Sequence, residues 1–432
     1  MANICVTGIW HQGAVVSACL ADLGNQVTGV CPADTAAELN SGNPPVYEPQ
    51  LPEILRRNVQ AGRLHYTSDY QEGLRDADFA YICTDTPVNL QDESDLNPIY
   101  EIAENIGENL ARDIVLGITA QVPIGTSEDL ARTVSRKAQA YTGAMAYIPE
   151  FLRLGIAVET FRKADRVVIG CNDAATANRI AALYQPLGCP IMLTDVRSAE
   201  MGKHAANAFL SMSISFINEI AGLCESLKAD ALQVAQILKL DNRIGPYAFL
   251  SPGLGFAGGT LGREIRALQK LGLRHQIETP LMDAVWAINA QRYRLVSRRL
   301  ATALGSLHGK QVGIWGLTYK SGTSTMRRAI SLDIIRDLAG QGASVLAFDP
   351  LANLAEVENL PSMQRVADPY DTARGSHALV LITEWQGFQD LDWAGLKARM
   401  AGNVILDTRN LLDPVRMAAA GFHYLGIGRG LA

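Results

Sequence analysis

Asn3-Ile4-Cys5-Val6-Thr7-Gly8-Ile9-Trp10-His11-Gln12-Gly13 is the stretch whose order decides the fold. A short apolar, β-branched run stops at a glycine, and a helical pattern begins almost at once. Residues 12–23 carry apolar side chains at helical spacing and end at Gly24, and residues 27–31 read as a second strand. Strand, glycine turn, helix and strand together make the βαβ opening of a doubly wound parallel sheet. Further strand-like runs at 79–84, 114–118, 145–148, 166–169 and 190–194 alternate with helical patterns. That alternation predicts a parallel sheet covered on both faces.

A second βαβ opening follows Lys310, with a strand at 312–316, a helix at 331–340 and a strand at 344–349. Runs at 378–383 and 404–407 complete a smaller sheet, and its opening VGIWGLTY mirrors ICVTGIW at the start of the chain. Between the two lies a region with no strand signal. Residues 198–227 read as one long helix, and helical patterns continue to residue 304 around a Gly/Pro-rich loop at 245–262. The expected fold is α/β: two Rossmann-like doubly wound parallel-sheet domains joined by a long central helix and helical connector. Its expected parts are a dinucleotide-binding domain at 1–197, a connector and dimerisation region at 198–305, and a nucleotide-sugar-binding domain at 306–432. A long connecting helix with an exposed apolar side favours a homodimer.

Composition narrows the function. The chain has 432 residues, 48% hydrophobic and 19% charged, enough for about three domains with their own cores. A net charge of -6 without a basic run argues against nucleic acid. No apolar run reaches the ~18 residues of a membrane span. The seven cysteines form no CxxC pair and sit mostly in apolar runs, so free buried thiols and a cytoplasmic location are expected. The histidines show no metal-ligand spacing, so no metal is expected.

The glycine turn departs from a full dinucleotide fingerprint. Gly8 and Gly13 hold the outer positions of GxGxxG, but Trp10 stands where the middle glycine lets pyrophosphate approach the backbone. The second strand ends at Cys31 rather than an acid for the ribose hydroxyls, and the nearest acid is Asp34. Two readings stay open: NAD held in an altered pose at the helix N-terminus, or a sheet that has lost NAD. Lys203 and Asn207 are four apart on the long helix and share a face, where they could cradle an oxyanion or simply mark a solvated surface. His204 reads as a satisfied histidine without a catalytic partner. The loop Ser251-Pro252-Gly253-Leu254-Gly255-Phe256-Ala257-Gly258-Gly259-Thr260 surrounds one aromatic with small and turn-forming residues, as a loop folded around a ligand would.

These segments, in order, resemble the UDP-glucose/GDP-mannose dehydrogenase family over nearly the whole chain. The matching stretches are Tyr47-Glu48-Pro49, Thr86-Pro87, Pro149-Glu150-Phe151-Leu152-Arg153, residues 203–207, Phe216-Ile217-Asn218-Glu219 and Arg243-Ile244-Gly245. After the loop ending at Thr260 come Gly316-Leu317-Thr318-Tyr319-Lys320, Asp349-Pro350, Thr383-Glu384-Trp385 and Asp407-Thr408-Arg409-Asn410. The resemblance implies a four-electron oxidation of a nucleotide sugar at C6 with NAD as cofactor. It implies that Glu150, Phe151 and Leu152 line the sugar and that Lys203 with Asn207 steady the oxyanion. Arg243 would reach the sugar from a neighbouring subunit. Phe249 and Leu250 would line the uridine and diphosphate, with Phe256 and Gly258 in the loop and Lys320 and Arg409 supplying charge. Thr86 and Arg327 would touch the cofactor beside Gly8, Trp10, Gly13 and Cys31.

The departures matter as much. The family's nucleophilic cysteine is Thr260 here, and its following Lys and Asp are Arg263 and Glu264. A threonine that holds water near the reacting carbon is Gln121, and an acidic pair is Ser324 and Thr325. A thiol with pKa ~8.5 is a good nucleophile at neutral pH, whereas an alcohol needs an adjacent base. The first hydride transfer needs no enzyme nucleophile. The expectation is therefore a single or redox-neutral hydride transfer on a UDP-sugar, or else an inactive nucleotide-sugar-binding protein that partners an active enzyme.

Overall fold

The computed structural model describes residues 1–84, 86–87, 94–258 and 260–430; Gly259 of the glycine-rich loop lies outside them. The chain forms two compact units, Met1–Ala206 and Asn207–Ala432.

The first unit is built on strands β1 (Asn3–Thr7), β2 (Gln26–Val30), β3 (Leu64–Thr67), β4 (Phe79–Ile82), β5 (Val115–Ile118), β6 (Met145–Tyr147), β7 (Val167–Gly170) and β8 (Ile191–Thr194). Their order is β3-β2-β1-β4-β5-β6-β7-β8. β1 pairs in parallel with both β2 and β4, so the chain reverses its winding there. β4 and β5 are buried at every residue, as strands covered on both faces must be. The helix His11–Asp22 is buried at all but its last residue, which explains its nearly all-round apolar sequence.

One departure from the expected parallel sheet places a candidate site. β6 and β7 pair antiparallel, through Tyr147 and Gly170, and β8 follows β7 in parallel. A parallel neighbour would need a crossover along the sheet, whereas an antiparallel one needs only a return at the same end. The connection at 148–166, with its short helix Ala157–Arg162, therefore starts and ends at the carboxyl edge of β6.

The second unit carries β9 (Gln311–Trp315), β10 (Ser344–Phe348), β11 (Gln364–Arg365), β12 (Ala378–Leu381), β13 (Val404–Asp407) and β14 (His423–Gly426). They lie in the order β11-β10-β9-β12-β13-β14, all parallel. Ahead of this sheet the chain is helical: Val196–Ser226 is a helix of 31 residues, followed by Ala231–Leu240, Leu261–Arg274, Pro280–Ala290 and Arg294–Leu304.

The two sheets repeat one construction at the winding reversal. Gly8 follows β1 with φ 74° and Gly316 follows β9 with φ 90°. A Cβ on Gly8 would lie 2.6 Å from the Thr84 backbone N, and one on Gly316 2.5 Å from that of Thr383. Only glycine satisfies both the left-handed φ and the close approach. Among the described residues no helix is long and apolar enough to cross a membrane.

Candidate functional site

Ligands of open α/β sheets bind outside the carboxyl ends of the strands, at the winding reversal. In the first unit that edge is knit by side chains from the glycine turn. Gln12 donates from Nε2 to both the carbonyl and the hydroxyl of Thr119, each at 2.9 Å, and the Thr119 hydroxyl lies 3.1 Å from Cys83 Sγ. His11 Nε2 lies 2.7 Å from Glu48 Oε2, and Glu48 also accepts from the amides of Gly155 (2.9 Å) and Ala157 (2.7 Å). The helix that starts after the glycine turn is thereby tied to the 148–166 connection. In the sequence Glu48 stands only within the Tyr47-Glu48-Pro49 motif, and nothing local signals that it joins segments about a hundred residues apart.

Gly8 and Gly13 keep the geometry of a phosphate-approach turn: a Cβ on Gly13 would sit 2.7 Å from the Gly8 carbonyl oxygen. Trp10 precedes the helix, its indole 6.3 Å from the His11 ring, centroid to centroid. Cys31 is buried after β2, and burial pushes its thiol up to about 11. A neutral thiol cannot take two ribose hydroxyls as a carboxylate can. The turn thus fits a dinucleotide's pyrophosphate through Gly8, Gly13 and the helix N-terminus, and Cys31 does not supply the usual ribose contact. Thr86 is buried and donates to the Gln121 carbonyl at 3.1 Å.

Glu150, Phe151 and Leu152 leave β6 in an extended turn. The Glu150 carboxylate accepts from the Leu152 amide at 2.6 Å. Lys203, 6% exposed, donates to the Glu150 carbonyl, sits 3.8 Å from the Glu150 carboxylate and lies 4.8 Å from the Phe151 ring centroid. Lys203 and Asn207 are therefore not a solvated helix face, since both are buried. His204 is buried as well, its Nε2 2.9 Å from the Val122 carbonyl oxygen, in keeping with a satisfied histidine. Glu200, one turn earlier, holds the start of the helix Thr126–Lys137 through Gly125 and Ser127.

In the second unit the quoted motifs meet at the carboxyl edge of the smaller sheet. Asp349, just past β10, accepts from the amides of Leu317 (2.7 Å) and Thr318 (3.0 Å), from Trp385 Nε1 (3.1 Å), and from the amides of Leu351 and Ala352. Thr383 Oγ1 donates to the Thr318 carbonyl. Arg409 donates from Nε to the Ile382 carbonyl at 2.7 Å and pairs with Glu384 at 3.2 Å. Burial holds the Tyr319 hydroxyl above its ordinary pKa.

The glycine-rich loop lies on this edge. A Cβ on Gly258 would fall 2.5 Å from the Tyr319 ring, and the Gly258 amide donates to the Arg328 carbonyl at 3.0 Å. The loop backbone is clasped by Asn218, from the quoted 216–219 stretch, and by Asn289 and Arg292, which the sequence did not single out. Asn289 exchanges hydrogen bonds with both the amide and the carbonyl of Phe256, and Asn218 and Arg292 hold Gly253. Phe256 itself packs against Ala208, Ile214, Ile265 and Val285. Thr260 is exposed at the start of the helix Leu261–Arg274, while Arg263 and Glu264 are buried side by side, 3.8 Å apart. Lys320 is half-buried beside Tyr319, and Arg327 is exposed with its amide on Thr325 Oγ1. Leu250 is buried, Phe249 is half exposed, and Arg243 reaches into solvent alongside Asp241. No cluster of His, Cys, Asp or Glu among the described residues is arranged to hold a metal.

Two doubly wound domains, each with a glycine turn at its ligand edge, define a nucleotide-binding chain of the dehydrogenase type. Comparison with known proteins makes the family definite. Residues 2–188 match the NAD binding domain of the UDP-glucose/GDP-mannose dehydrogenase family, 197–291 its central domain and 313–414 its UDP binding domain. The chain belongs to the UDP-glucose/GDP-mannose dehydrogenase family. It is 36% identical over 442 residues to the UDP-glucose 6-dehydrogenase of Pseudomonas aeruginosa, covering 99% of this chain and 97% of that one. It is 34% identical to the Bacillus subtilis UDP-glucose 6-dehydrogenase YwqF, covering 99% and 98%. A UDP-glucose dehydrogenase structure from Pyrobaculum islandicum superposes with a TM-score of 0.90 at 30% identity, covering 100% of this chain and 98% of that one. NAD is the cofactor expected of this family.

Proposed function

We propose that this chain oxidises the primary alcohol of a UDP-linked hexose by a single hydride transfer, releasing the aldehyde or reducing it again. Thr260 carries the proposal. It stands at the family's cysteine position, and an alcohol there is a poor nucleophile without a base. The acid one turn on, Glu264, lies beside the Arg263 guanidinium. The other thiols offer no substitute: burial pushes that of Cys83, whose charge would be opposed by nearby Glu150, up to about 12.

NAD, when bound, accepts the hydride. The chain's own residues bind and orient. Gly8, Gly13 and the start of the helix His11–Asp22 receive the pyrophosphate, with Thr86, Gln121 and Arg327 nearer the reacting end. The Lys203 ammonium, held on Glu150, steadies the alkoxide. Asn207 is assigned as the second donor, and its Nδ2 is buried without a hydrogen-bond partner among the described residues. Phe249, Leu250, Lys320 and Arg409 are assigned to the UDP side. We further assign residues 1–197 to the cofactor, 306–432 to the nucleotide sugar, and 198–305 to a homodimer contact in the cytoplasm. The exposed Phe209, Phe216 and Leu223 of the long helix support that contact.

A second reading, a UDP-sugar-binding protein without turnover, is favoured by Trp10 and Cys31. The test is to incubate the protein with UDP-glucose and NAD, count NADH formed per sugar consumed, and trap aldehyde with hydroxylamine. One equivalent of NADH with trapped aldehyde, or exchange of label between NADH and C6, supports the proposal. Two equivalents with a uronate product refute it. No hydride exchange, with UDP-glucose bound in calorimetry, selects the second reading.

A further inference from the structure

The glycine-rich loop is coil with a buried backbone. Pro252, Gly253, Leu254 and Phe256 are all shielded from water, yet residues 251–258 belong to no strand or helix. Buried peptide groups need partners, and here side chains from the helix Pro280–Ala290 and the turn after it supply them. Asn289 accepts from the Phe256 amide at 2.8 Å and donates to the Phe256 carbonyl at 2.9 Å. Three residues on, Arg292 donates to the Gly253 carbonyl, while the Gly253 amide donates to Asn218 Oδ1 at 2.9 Å. The step from Asn289 to Arg292 matches the step from Phe256 back to Gly253. The result imitates two rungs of an antiparallel ladder, each serving both the amide and the carbonyl of one loop residue.

Gly255 lies between the rungs at φ 87°. A Cβ there would collide with Asn289 Oδ1 and fall 3.1 Å from Arg292 Cγ, so the rungs close only on glycine. The loop also meets the neighbours of residues assigned to the nucleotide. A Cβ on Gly253 would lie 3.2 Å from the carbonyl oxygen of Thr408, which precedes Arg409. Gly258 lies against the ring of Tyr319, which precedes Lys320.

We propose that Asn289 and Arg292 are positioning residues for the nucleotide sugar, holding residues 253–256 in their binding shape before the ligand arrives. Each acts through the loop backbone and not on the reacting atoms. A loop that must be ordered at binding lowers affinity, whereas one already held in shape does not. The inference rests on the assignment of Leu250, Lys320 and Arg409 to the UDP side.

The test combines calorimetric titration of the full-length protein with UDP-glucose and amide hydrogen exchange. Asn289→Ala and Arg292→Ala should each weaken UDP-glucose binding about tenfold. Arg292→Lys, which keeps a donor for the Gly253 carbonyl, should recover most of the loss. Gln291→Ala, an exposed side chain between the two, should change nothing. In Asn289→Ala the amides of residues 253–258 should exchange faster and slow again with saturating UDP-glucose, while β9 and β12 keep their wild-type rates. Unchanged UDP-glucose affinity in both alanine variants overturns the proposal. So does faster exchange throughout β9 and β12, which would make the two side chains mere stabilisers of the unit. Wild-type protein that binds no UDP-glucose overturns the substrate reading, and this inference with it.

Discussion

Replacing Glu48 with alanine should unhinge the first unit, because three donors converge on this carboxylate with no exposure to water. The Gly155 and Ala157 amides and the His11 ring would each lose their acceptor. A buried donor left unsatisfied costs ~1–3 kcal/mol, and removing one partner of a buried charged contact costs ~3–5 kcal/mol in all. Water entering the vacated space relieves part of this, so we expect about 4 kcal/mol, near a thousandfold in the folding equilibrium. For a unit of this size that is a fall in melting temperature of about 8–16 °C. Glu48→Gln keeps one acceptor oxygen but turns its own NH₂ toward a donor, so it should recover less than half. Scanning calorimetry reads both, with Glu53→Ala as the control, since that side chain is 69% exposed. If Glu48→Ala melts within a degree or two of Glu53→Ala, the three-donor clasp does not stabilise the fold and the reasoning is wrong.

Gly8→Ala and Gly316→Ala should each destabilise by more than ~1 kcal/mol, because each adds a Cβ inside contact distance at a left-handed φ; urea unfolding of either variant at the wild-type midpoint would contradict this. The buried thiols of Cys5, Cys19 and Cys83 are pushed up by burial to about 12 from 9.0. Their folded-state pKa is raised, so their contribution to stability is complete below about pH 9 and is lost as pH rises toward 12. The urea midpoint should therefore fall between pH 8.5 and about pH 11, and replacing the three with alanine or serine should flatten that fall even where overall stability drops. Lys203→Ala should reduce any hydride transfer far more than His204→Ala, and equal losses would mean the oxyanion donor has been misassigned. Thr260→Cys alone should not restore uronate formation, because Gln121 and Arg263 also differ from the family pattern; robust uronate from that single variant would sink the idea.

The fold was legible where burial leaves a periodic mark. Strands covered on both faces, such as β4, β5, β12 and β13, read as continuous apolar runs, and all four are found at their expected places. The unread strands are β3, β11 and β14, each at the edge of its sheet. An edge strand is half solvated, so Leu-His-Tyr-Thr and His-Tyr-Leu-Gly carry no apolar run to detect. The antiparallel return at β6 and β7 was unreadable for a different reason: direction depends on the path of a connection, which no residue pattern records. The site divides the same way. Glycines and matched motifs were visible, whereas Asn289 and Arg292 act through contacts between segments distant in sequence.

The twin openings bear on what the first sheet can hold. In a doubly wound sheet the residue after the second strand faces the glycine turn, and an acid there can hold a ribose or close the turn on itself. In the smaller sheet Asp349 does the latter, spending its Oδ2 on the Leu317 and Thr318 amides. In the larger sheet the corresponding residue is Cys31, whose neutral thiol can do neither. The Gly8 turn is therefore neither closed by its own acid nor equipped with one for a ribose. Any grip on a dinucleotide there rests on Gly8, Gly13 and the helix that Glu48 and Thr119 hold in register. That places the affinity in the backbone turn and its supports, so Cys31→Asp should strengthen NAD binding while Glu48→Gln weakens it. Calorimetric titration of both variants decides the point: an unchanged NAD affinity in Cys31→Asp would show that the ribose does not reach the end of β2.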